Sequence, residues 1–176
     1  MQPIRYLILA VLLVGSAAAG PDLDPRALSY RVRATSIELD GTTQRLAGEV
    51  ALVVSGLSDA RLDVRAEGGV RDPQQVVLSG DVRAELSLPP GALPGVVGVA
   101  KLRCRELRFE PAQQRVTFLA GDYTARAAGE LAGTLHVSGI TRGVLELAGP
   151  QGPRLRLEGE ALEVRVVPDP PPPERR

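Results

Sequence analysis

Tryptophan is absent from this chain of 176 residues, and cysteine, methionine and histidine occur once each. Aromatic residues make up only 3%, which leaves no platform on which bases or sugars could stack. The formal net charge is zero, and removal of an N-terminal leader would take away only Arg5. Nothing electrostatic therefore points to a nucleic acid partner. With Cys104 alone, no disulfide can form within the chain, so folding must rest on burial and hydrogen bonding. One histidine, His136, and one unpartnered thiol do not assemble a catalytic triad or a zinc site in the usual ways. His136 alternates with Leu135 and Val137 and is expected to face solvent from a strand. Acidic residues are plentiful, but no pair stands out as buried or clustered. Neither an enzyme nor a bound cofactor or metal is expected. No apolar run reaches the roughly 18 residues of a spanning helix.

What the chain does have is aliphatic: Leu, Val and Ala supply the apolar content, which suits a core or cavity lined by hydrocarbon. The N-terminus reads as an export signal over residues 1–19. Arg5 supplies the charge, Tyr6 to Val14 the apolar run, and Ser16-Ala17-Ala18-Ala19 the small residues of a cleavage site. The alternative is an uncleaved inner-membrane anchor. Residues 20–27 read as a linker, 28–167 as one β domain, and 168–176 as an extended Pro-rich tail outside the fold. The expected location is the periplasm.

Alternation with period two dominates from Tyr30 to Val166. Leu62, Val64 and Ala66 alternate with Arg61, Asp63 and Arg65, and Leu155 and Leu157 with Arg154 and Arg156. Such runs have one buried and one wet face, the habit of antiparallel sheets. The alternation slips at two equivalent places: Ala34 is followed by Ile37 and Leu39, and Cys104 by Leu107 and Phe109. Bulges near Thr35-Ser36 and Arg105-Glu106 would absorb the slip, and they make Cys104 a small buried packing residue rather than a reactive thiol. Asp40-Gly41 signals a hairpin turn. Asp72-Pro73 and Glu110-Pro111 open two similar turns. Pro89 to Gly95 is too rich in proline for a ladder and reads as a long loop or a crossing between halves.

The repeated pattern is a small residue, an acidic residue six positions on, a polar turn and a Gly-acidic step. It runs Ala34 to Asp40 then Gly48-Glu49-Val50, Ala66 to Asp72 then Gly80-Asp81-Val82, and Cys104 to Glu110 then Gly121-Asp122-Tyr123. It resembles the repeat of the OstA-like domain of the periplasmic lipopolysaccharide-transport proteins LptA and LptC and the N-terminal part of LptD. The resemblance implies an all-β fold, an antiparallel β-jellyroll or taco of two sheets with an apolar groove. It implies a protein that shields the acyl chains of lipopolysaccharide, or a related envelope lipid, between inner and outer membrane. Similar modules, or further copies of the chain, would join it through open sheet edges. The groove candidates are then the inward residues Val32, Ala34, Ile37, Leu39, Leu46, Val50, Leu62, Val64, Leu78, Val82, Leu102, Leu107, Phe109, Val116 and Phe118. The alternative is a structural or adhesive envelope sandwich with a filled core and no cargo.

Overall fold

The computed structural model describes residues 13–16, 28–57, 60–93, 96–127, 132–147 and 153–168. Most of the expected leader, the linker and the tail beyond Pro168 lie outside the described residues. The elements are strands β1 (Leu13–Ser16), β2 (Ser29–Arg33), β3 (Ser36–Asp40), β4 (Thr43–Leu57), β5 (Ala60–Arg71), β6 (Val76–Leu93), β7 (Val96–Glu110), β8 (Arg115–Ala127), β9 (Gly133–Glu146), β10 (Arg154–Glu158) and β11 (Glu163–Pro168), with one 3-10 turn at Pro111–Gln113. All strand pairs are antiparallel, and they form one sheet.

The two expected sheets are the two halves of this single sheet. β2 and β3 lie end to end along β4, and β10 and β11 lie end to end along β9. The long strands between them run through both halves. The halves face each other across the interior. Tyr30, which pairs with Val54 in one half, meets Phe109, which pairs with Val76 in the other, with ring centroids 5.4 Å apart and nearly perpendicular. The all-β jellyroll reading therefore stands, with one creased sheet serving as both layers.

The crease follows the slip in alternation. Along β7, Cys104 and Leu107 are both buried although three residues apart. Opposite them β6 takes four steps, from Leu78 (paired with Leu107) to Val82 (paired with Cys104). β4 does the same from Leu46 to Val50, against Gly69 and Ala66 of β5. The extra residue thus sits on β4 and β6, not at Thr35-Ser36 or Arg105-Glu106 as the sequence suggested. The reason is local: Gly48 (φ +80°) and Gly80 (φ +101°) accept the left-handed conformation that such a bulge requires. At Gly48 a side chain would also strike Thr35, whose Oγ1 accepts a hydrogen bond from the Glu49 N–H at 3.1 Å.

The Pro89–Gly95 expectation is also corrected. No long loop or crossing forms; β6 continues to Leu93 and β7 begins at Val96. The ladder skips from the Leu88–Gly98 pair to the Leu93–Val96 pair. Pro89 and Pro90 fall in the gap, where no ladder N–H is needed.

Candidate functional site

The interior between the layers is aliphatic. Of the fifteen groove candidates, Val32, Leu46, Val50, Leu62, Val64, Leu78, Val82, Leu107, Phe109, Val116 and Phe118 are buried. Ala34, Ile37 and Leu102 are half-buried against the same core. Leu39 does not join them: it is 71% exposed, beyond Ile37 and opposite Gln44 at the end of β3. Its strand ends one residue later, so nothing faces it. No buried charged side chain is found among the described residues.

Through its middle this interior is nearly full. The free space bounded by Leu62, Leu86 and Leu102 from one layer and Leu107, Phe118 and Leu145 from the other is about 30 Å³. Glycines make room for bulky neighbours within each layer. Gly143 lies directly opposite Phe118, and a side chain on Gly143 would sit 2.0 Å from the ring carbon Cζ. Gly69 is covered in the same way by Leu78, and Gly121 by Cys104. Burial pushes the Cys104 thiol up to about 12, with opposing smaller effects of the Glu106 backbone and carboxylate, which fits a packing role.

Toward β9 and β10 the layers part. A cleft of about 770 Å³ opens there, with Val96, Tyr123, Leu135 and Val137 on one wall and Leu155 and Leu157 on the other. Its lining is completed by Arg115, Arg142, Glu146, Arg154, Arg156 and Glu158, which alternate with Leu145, Leu155 and Leu157 and so stand on the other face of the same strands. Arg115 is held by Glu110 at 2.8 Å. The sequence reading left all of these inner residues off the groove, although the Leu155-x-Leu157 alternation was the signal for two of them. Tyr123 is 6% exposed and its hydroxyl has no hydrogen-bond partner; burial pushes its ionisation upward. His136 stands on the outer face, exposed, 3.5 Å from the Thr124 hydroxyl.

No family model and no curated protein matches the chain. A solved structure does: LptH from Pseudomonas aeruginosa, described as the LptA homologous periplasmic component of the lipopolysaccharide transport device. It aligns over 79% of this chain and 95% of its own, with a TM-score of 0.52 and 15% sequence identity. The chain has the LptH fold. At this identity the likeness speaks for the architecture alone, and the site must be argued from its own residues.

Proposed function

We propose that the protein carries lipopolysaccharide or a related acylated lipid across the periplasm, from the inner to the outer membrane. The observation that supports this most is the interior itself: one creased sheet encloses hydrocarbon from end to end and gapes at β9 and β10 into an open cleft. Acyl chains enter from the gaping end and part the layers. Each methylene removed from water contributes about 0.8 kcal/mol, while the sugar head group stays outside. Edge strands supply the means of joining modules, through rows of backbone N–H and C=O groups that can take a further strand. The outer edge of β2 is covered by β1. Cleavage of a leader after Ala19 removes β1 and opens that edge to a neighbouring module or a second copy.

The test is to purify the exported protein from its native envelope and identify bound lipid by mass spectrometry, with photocrosslinkers at Leu107 and Leu157. Lipid adducts are expected from both positions, more strongly at Leu157. Absence of adducts from both would sink the transport reading. The near-full middle of the interior favours a second reading, a structural envelope sandwich without cargo. On that reading the protein purifies free of lipid.

A further inference from the structure

Tyr123 stands apart from the rest of the interior. Among the described residues, the other buried side chains are hydrocarbon, apart from the Cys104 thiol. Tyr123 lies on β8 between Leu102 of β7 and Val137 of β9, and its buried hydroxyl meets no donor or acceptor. A buried polar group without a partner is disfavoured and rare in a folded protein. A bound water does not resolve it. The residual space beside the ring holds about 30 Å³ and is walled almost wholly by aliphatic side chains, whereas a buried water needs two or more polar partners. Nor does packing require the oxygen: further back along the same strand the bare ring of Phe118 fills the opposite layer. The Tyr123 ring borders both this narrow space and the open cleft, so a chain entering from the cleft reaches it first.

We infer that Tyr123 is the polar reading point of the lipid site, its hydroxyl pairing with an oxygen carried on the bound acyl chain, either a chain hydroxyl or an ester carbonyl. This rests on the reading of the interior as a lipid site. A plain saturated chain leaves the hydroxyl unpaired in the complex as it is in the empty protein. A chain bearing an oxygen satisfies it, by accepting from the phenol O–H or by donating to the phenol oxygen. The site thus selects oxygenated acyl chains over plain ones of equal length. The energy of one neutral hydrogen bond corresponds to a preference of roughly fivefold to tenfold.

The experiment titrates the delipidated full chain with tetradecanoate, 3-hydroxytetradecanoate and the tetradecanoyl ester of glycerol, in wild type and Tyr123→Phe. Wild type is expected to bind at least one oxygenated probe roughly fivefold to tenfold more tightly than tetradecanoate. Tyr123→Phe should show no preference for the oxygenated probes over tetradecanoate. Its melting temperature without ligand should equal or exceed that of wild type. A preference that survives in Tyr123→Phe overturns the inference. So does a clear drop in its melting temperature, which would reveal a partner for the hydroxyl in the empty fold. If wild type binds all three probes alike, the inference falls and the lipid reading stands. If it binds none, both fall.

Discussion

The two ends of the creased sheet follow one pattern and reach opposite outcomes. Both edges are broken strands: β2 and β3 at one end, β10 and β11 at the other. At the first end Leu28 and Val32 are buried, and Tyr30 reaches across to the edge of Phe109 while the Arg71 guanidinium lies 5.6 Å from its ring centre. That aromatic bridge ties the layers together. At the second end no residue of β10 or β11 is buried, and Leu155 and Leu157 pack against the core only half-covered, beside the open cleft. The inner face of β9 also spends positions on Gly133 and Gly143. Closure is therefore set by the side-chain volume facing inward, not by the strand pattern, which the two ends share.

The largest expected effect breaks the closed end. Phe109 is wholly buried and carries the ring contact with Tyr30, so Phe109→Ala should cost about 3–5 kcal/mol. Leu157 is half-buried on the cleft wall, and Leu157→Ala should cost only about 1 kcal/mol. Urea unfolding of the two variants measures the difference directly. Equal losses would mean that the cleft end is as tightly packed as the rest.

The boundary between the two regimes lies at Gly143 and Phe118. Gly143→Ala places a methyl group against the Phe118 ring, and overpacking of this kind costs about 1–3 kcal/mol. Because the clash is with one side chain, Phe118→Leu in the same protein should recover part of the loss. A double-mutant cycle reads the coupling. Strict additivity would show that the ring is free to swing into the cleft and that the boundary is soft.

How much of this could be read in advance differs from element to element. The alternation of Leu62, Val64 and Ala66 identified both the strand and its buried face, because a period of two needs no knowledge of partners. The slip between Cys104 and Leu107 located the crease for the same reason. Which strand takes the extra residue was not legible, since that depends on the register between neighbours and on a left-handed φ at Gly48 and Gly80. The proline run misled because proline is excluded only where its missing N–H is required. The cleft was the least legible. Leu155 and Leu157 alternate as well as any pair, and only the distance to the facing layer makes them a wall rather than a core. Tyr123 stood in the repeat at the apolar place of Val50 and Val82, but an unpaired hydroxyl is a property of its surroundings and was not legible.

The two turns that looked alike in sequence offer a smaller contrast. Asp72 accepts hydrogen bonds from the N–H groups of Gln74 (2.7 Å) and Gln75 (2.9 Å) and from the Gln75 amide. Glu110 makes no such cap and instead holds Arg115. Burial raises the Asp72 carboxyl, but the bonds from Gln74 and Gln75 and the attraction of Arg108 outweigh it, and the net shift is downward. A carboxyl lowered on folding adds stability above its unfolded value, near 4, and loses it as pH falls through the folded value. Asp72→Ala should therefore cost about 1 kcal/mol at neutral pH, and the gap to wild type should narrow in acid. Glu110→Gln should cost about half as much, since its loss is one partly exposed ion pair, and salt should diminish it. Unfolding curves at neutral and acid pH, with and without salt, separate the two.

The smallest effect concerns Cys104, which sits on the crease facing Gly121, at the closed side of the interior. With its ionisation pushed up to about 12, the reactive thiolate is scarce at pH 8, and its 5% exposure bars reagents as well. Alkylation of the native protein should be far slower than in urea, and Cys104→Ala should change stability by no more than about 1.5 kcal/mol. Lipid binding, by parting the layers, should speed the alkylation only if the opening spreads from the cleft to the crease. Comparing labelling rates with and without tetradecanoate therefore measures how far the gaping end extends into the closed one. An unchanged rate in a lipid-loaded protein would confine the cargo to the walls formed by Leu155, Leu157, Leu135 and Val137.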